Sequence, residues 1–116
     1  MSKAVIAGYV RSPFHFAGKG ALTKVRPDDL TALVVKGLLA KTGIKPEDIE
    51  DLLLGCAFPE GEQGLNVARL IGLIAGLPQT VAGATVNRFC GSSMQAIHNA
   101  AGAIATGSGQ AFVCAG

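Results

Sequence analysis

Cys90 stands in the segment Val86-Asn87-Arg88-Phe89-Cys90-Gly91-Ser92-Ser93-Met94, where a strand-like run ends, the chain turns sharply and a helical pattern begins. A thiol at the start of a helix faces unpaired backbone N–H groups. These favour negative charge and hence the thiolate, which is the nucleophilic form. Gly91 lets a substrate approach the main chain closely, and Ser92 or Ser93 can cap the helix. The Cys90 N–H can help hold an oxyanion formed on a thioester carbonyl. The chemistry these residue types suit is nucleophilic acyl transfer. Free cysteines are also among the most buried residues, and most of those are inert. Placement alone therefore leaves both readings of Cys90 open.

No other reactive side chain completes a catalytic set with it. His98 follows Cys90 by eight residues, about 12 Å of helical rise and beyond hydrogen-bond reach; it reads as a packing or surface residue. His15 lies between Phe14 and Phe16 in a loop and reads as structural or solvated. Cys56 and Cys114 sit in the apolar runs LLLGCAF and AFVCAG with no basic neighbour, as buried inert thiols do. Three cysteines without a C-x-x-C spacing suit neither a zinc site nor a disulfide framework, and they fit a reducing compartment. Gly18-Lys19-Gly20 lacks the earlier glycine of a phosphate-binding loop, since Pro13 stands there. No G-x-G-x-x-G follows a strand, and Lys19, Lys24 and Arg26 read as a thin basic cluster on a solvated loop.

Holding a thiol on such a turn takes a framework, and 116 residues are enough for one domain with a single modest core. Hydrophobic residues make up 49% and charged residues 16%, with a net charge of +2. That balance excludes disorder and argues against a nucleic-acid or membrane partner. No apolar run approaches the roughly 18 residues of a membrane span, and no secretory signal is evident. A cytoplasmic location is expected.

Strand and helix alternate along the chain. Ala4–Val10 reads as a buried first strand, followed by a long loop from Arg11 to Val25. Pro27-Asp28-Asp29 opens a helix whose inward face is expected to carry Leu30, Leu33, Val34, Gly37 and Leu38, and Gly43 ends it. A second strand over Asp51–Ala57, a second helix over Gln63–Ala75 and a third strand over Thr80–Asn87 follow. The third helix, Gly91 to Thr106, is apolar almost all round, which implies burial in a larger body. Gln110–Gly116 makes a fourth strand. The order β-α-β-α-β-α-β, with right-handed crossovers, predicts a largely parallel sheet with helices on both faces. The Gly-tipped last strand and the greasy third helix read as the first part of a longer protein.

The segment VNRFCGSSMQAIHNAA closely resembles the nucleophile region of thiolases, the acetyl-CoA acyltransferases, and most of all the degradative 3-ketoacyl-CoA thiolases of fatty-acid β-oxidation. Arg11-Ser12-Pro13-Phe14 resembles the Arg-Thr-Pro-hydrophobic-Gly loop after the family's first strand, with Ser12 and His15 as departures. Gly55-Cys56 falls at the expected strand end, and Glu62–Arg69 resembles the family's Gln-Gly-x-Asn-x-Ala-Arg segment.

The resemblance implies a three-layer α/β/α half-domain, with residues 1–116 an incomplete N-terminal thiolase domain carrying four of the five strands of a mixed, mostly parallel sheet. It implies thiolytic cleavage of 3-oxoacyl-CoA through an acyl thioester on Cys90, reversible as a Claisen condensation. Coenzyme A and its thioesters are then substrates, and no cofactor or metal is expected. The family's activating His, second Cys and oxyanion hole belong to the later half, so the 116-residue piece alone is expected to be inactive and marginally folded. A homodimer or homotetramer is implied, with Asn66, Arg69, Thr85, Val86, Asn87, Arg88 and Phe89 at the partner surface. A biosynthetic acetoacetyl-CoA thiolase and a non-catalytic thiolase-like fragment or subunit are the alternatives. A ketoacyl synthase fits less well, since Phe-Cys-Gly-Ser stands where those enzymes resemble Ala-Cys-Ser-Ser.

Overall fold

The computed structural model describes residues 3–116. Helix α1 (Pro27–Thr42) starts where sequence places it, with Pro27 at its first position and Asp28 and Asp29 at the positive end of its dipole. It stops at Gly43, whose left-handed φ of 69° lets its N–H turn back to the Leu39 carbonyl at 2.9 Å. Strand β1 (Asp51–Gly55), helix α2 (Val67–Ile74), strand β2 (Ala82–Val86), helix α3 (Ser92–Ala105) and strand β3 (Phe112–Ala115) complete the order. Short 3₁₀ turns at Pro46–Asp48, Gly61–Gln63 and Phe89–Gly91 join them.

The sheet runs β2-β1-β3 and is parallel throughout, with Asp51 opposite Ala82 on one side and Phe112 on the other. The central strand is buried on both faces, as a parallel strand between helices must be. Leu52 and Leu54 point to the layer of α1 and α2, among Ala32, Val35, Val67, Ala68 and Ile71. Leu53 points the other way, onto Ala96 and Ala100 of α3. Fully buried side chains such as Leu52 and Ile71 each contribute about 1.5–3 kcal/mol to holding these layers together. Three layers, helix on sheet on helix, are the architecture that the sequence predicts.

Three expectations are corrected. Ala4–Val10 joins no ladder, and Val5, Ile6 and Tyr9 are 80%, 75% and 77% exposed. The sheet of the described residues therefore has three strands, not four, and is not mixed. An apolar run becomes a buried strand only beside a free sheet edge. This one instead lies against the end of α1, where Lys41 Nζ donates to the Tyr9 carbonyl at 2.9 Å and covers its ring. The inward face of α1 is also displaced: its buried residues are Asp28, Ala32 and Val35, with the expected Leu38 packed against the core beside them, while Leu33 is 63% exposed. Apolar residues lie nearly all round that helix, so its own pattern does not fix which side meets the sheet. Finally, α2 begins four residues later than expected, because Leu65 and Asn66 take left-handed φ values of 58° and 51°.

Candidate active site

Strand β2 ends at Val86, and the next six residues form a tightly bonded turn that carries Cys90. The Asn87 side chain accepts from the Phe89 N–H at 2.9 Å, which stabilises the left-handed Phe89 backbone, φ 47°. Ser92 Oγ accepts from the Arg88 N–H at 2.8 Å and donates to the Phe89 carbonyl at 2.6 Å. Gly91 N–H closes the loop on the Arg88 carbonyl at 3.0 Å. Cys90 occupies the middle of the Phe89–Gly91 turn and is exposed, one residue before Gly91, the N-cap of α3. A thiol presented at a helix start can attack an electrophilic carbonyl there.

Ser92 has a different role from the expected cap. Its hydroxyl is buried and spent on the preceding turn, and the start of α3 has no side-chain cap. The bracing by Asn87 and Ser92 was missed in the sequence. Its only signal there is the presence of Asn and Ser at turn positions, where their side chains commonly bond local backbone.

Of the other thiols, Cys56 is buried as expected and Cys114 is only half-buried. Cys56 is 7% exposed at the end of β1. Cys114 donates to the Ala96 carbonyl at 3.6 Å; burial pushes its thiol up, with the Asp51 charge adding to this. His98 is exposed on α3, and His15 is exposed in its loop. Of the basic cluster, Arg26 is engaged by Asp28 at 3.0 Å and Glu62 at 3.5 Å, and Lys19 lies over the Phe16 ring at 5.2 Å.

Asn66, Arg69 and Thr85 do come together, along the outer side of β2. Asn66 Nδ2 donates to the Gly83 carbonyl at 2.9 Å, and Thr85 Oγ1 donates to Asn66 Oδ1 at 2.8 Å. The same Thr85 oxygen accepts from the Ala68 N–H at 3.1 Å. Arg69 donates to the carbonyls of Val81 and Gln79. Val86 is half-buried toward α3, while Asn87, Arg88 and Phe89 are exposed beyond the strand end. A shallow groove of about 460 Å³ follows this edge, and a cavity of about 260 Å³ lies beside Cys56, Asp28 and Gln63. Cys90 lines neither.

Among the described residues no three His, Cys, Asp or Glu side chains gather as metal ligands. Nor is any described helix long and apolar enough to cross a membrane.

A parallel sheet between helices, with an exposed thiol on a braced turn leading into one of them, defines an α/β domain with a cysteine at a helix start. The chain belongs to the thiolase family: "Thiolase, N-terminal domain" matches residues 4–116. It is 50% identical over 112 residues to a 3-ketoacyl-CoA thiolase of Acinetobacter baumannii, covering 97% of this chain and 29% of that protein. It is 49% identical over 116 residues to the 3-ketoacyl-CoA thiolase of Bacillus subtilis, covering 100% and 30% respectively. The crystal structure of the Bacillus anthracis acetyl-CoA acetyltransferase superposes with a TM-score of 0.91 at 35% identity, over 99% of this chain and 29% of that one. The chain thus spans under a third of the length of these relatives.

Proposed function

We propose that the intact protein is an acyltransferase that cleaves 3-oxoacyl-CoA with coenzyme A, using Cys90 as its nucleophile. The observation that carries this reading is the exposed Cys90 on a braced turn at the start of α3, in a chain about half identical to proteins named 3-ketoacyl-CoA thiolase. The Cys90 thiolate attacks the 3-keto carbon and forms a tetrahedral alkoxide. The C2–C3 bond then breaks, its electron pair becoming the enolate of acetyl-CoA, which takes up a proton and leaves. The shortened acyl group remains as a thioester on Cys90. Coenzyme A, giving up its thiol proton, attacks that thioester and releases a shortened acyl-CoA and the Cys90 thiolate.

Proton transfer needs groups that this stretch does not offer. His98 lies about two helical turns along α3 from Cys90, and Cys56 and Cys114 are held in the packed layers. Those groups fall to the part of the protein matching the remainder of the relatives' length. The exposed residues at the end of β2, Asn87 to Phe89, with Asn66, Arg69, Thr85 and Val86 behind them, form the face for a second copy of the chain. The names of these relatives, 3-ketoacyl-CoA thiolase, support 3-oxoacyl-CoA as the substrate class. Cys90→Ser in the intact protein tests the reading. Thiolysis is expected to fall by about 10³-fold or more, whereas Cys114→Ala retains it; equal activity of Cys90→Ser and wild type would refute the assignment.

A further inference from the structure

The turn that carries Cys90 is anchored to the end of β1 at both of its ends. At the entry, Cys56 N–H donates to the Val86 carbonyl at 3.0 Å, one residue beyond the Gly55–Val86 pair that closes the ladder. At the exit, Gly55 lies directly against the first residues of α3. A Cβ at position 55 would stand 2.3 Å from Ser93 N, 2.4 Å from the Ser92 carbonyl carbon and 2.7 Å from its oxygen. These are main-chain atoms, so no rotamer change relieves the overlap. Gly55 is the last residue of a regular strand, and what its position demands is space, not a left-handed dihedral. Gly116, just past β3, meets the same helix start: a Cβ there would stand 2.4 Å from Ser93 Cβ.

We infer that Gly55 is a positioning residue for Cys90: its missing side chain lets the first turn of α3 seat on β1, and that seating fixes where the thiol stands. The inference rests on the reading of Cys90 as the nucleophile. A side chain at 55 lifts Ser92 and Ser93 off the strand. Because Ser92 Oγ is bonded to both Arg88 and Phe89, the Cys90 turn moves with them. A displacement of about 1 Å in a reacting group is enough to cost up to a hundredfold in rate.

The test is made on the intact protein, comparing Gly55→Ala with Leu52→Val, which loosens the opposite face of the same strand. Iodoacetamide alkylation at Cys90, followed by peptide mass, reads the placement of the thiol, and kcat and KM for thiolysis are measured alongside. Gly55→Ala is expected to slow Cys90 alkylation and lower kcat by about tenfold or more, with KM changed less than about threefold. Leu52→Val is expected to leave alkylation within about twofold. A folded Gly55→Ala protein with wild-type alkylation overturns the proposal. Should Gly55→Ala not fold, Gly116→Ala takes its place, and Gly116→Ala with Ser93→Gly removes its closest overlap, leaving contacts of 3.1 Å to residue 93 Cα and 3.2 Å to the Gly55 carbonyl. The single change must then slow Cys90 alkylation and the pair restore it, or the proposal fails. Failure of the functional reading shows separately, as thiolysis retained by Cys90→Ser.

Discussion

Ser92 Oγ donates to the Phe89 carbonyl at 2.6 Å across the turn that holds Cys90, and in the same position accepts from the Arg88 N–H at 2.8 Å. One buried hydroxyl therefore satisfies a donor and an acceptor of the backbone on the N-terminal side of the thiol. Ser92→Ala leaves the Arg88 N–H without its partner and removes one of the two donors to the Phe89 carbonyl, the other being the Ser92 N–H, at an expected cost of about 1–3 kcal/mol. Thermal unfolding of the intact protein checks this; a loss under about 0.5 kcal/mol would mean that the brace contributes little.

Thr85 makes a comparable join on the other side of the sheet, between β2 and the start of α2. Replacing it by Val keeps the shape and removes the oxygen shared by Asn66 Oδ1 and the Ala68 N–H. Ala68 is fully buried, so its N–H has no water to turn to. Thr85→Val is expected to destabilise by about 1–3 kcal/mol. Denaturant titration measures it, and an unchanged midpoint at an unchanged slope would contradict the role given to Thr85.

Two carboxylates respond to pH with opposite sign. The hydrogen bond from Arg26 holds Asp28 below the usual carboxylate range, with the Asp29 N–H and the Arg26 charge assisting. The unfolded chain then binds the proton more readily, so the stability Asp28 contributes is present above the ordinary carboxylate value of about 3.9 and is lost as pH falls through its lowered value. Burial pushes Asp51 up, and among the described residues its Oδ1 has no hydrogen-bond partner. Its contribution is present below about 3.9 and is lost as pH rises through its raised value. Asp28→Asn should therefore weaken the protein at neutral pH and Asp51→Asn strengthen it, and both differences should shrink toward pH 3. Unfolding midpoints across pH 3–7 decide it; the same sign for both variants would be inconsistent with these placements.

Much of this was readable from residue types. Pro27 and Gly43 mark both ends of α1, since one fixes φ for a helix start and the other accepts a left-handed stop. The apolar runs of β1 and β3 and the alternation with helices give the three-layer order. Cys90 at the strand–turn–helix passage was visible as well. What depends on distant partners was not. Ala4–Val10 has the composition of a strand, but pairing is a property of a neighbouring edge and not of the run itself. The inward side of α1 is chosen by the sheet beneath it, which leaves Leu33 outside and Ala32 inside. The left-handed Asn66, whose amide reaches Gly83, needs a strand 17 residues away to explain it.

The central claim is that Cys90 carries the acyl group, and the most direct measurement is peptide mapping of the intact protein after brief exposure to acetyl-CoA. The account predicts a single acetyl group on Cys90, removed again by added coenzyme A. Acetylation at Cys56, Cys114 or a lysine with Cys90 unmodified, or no adduct at all, would contradict it.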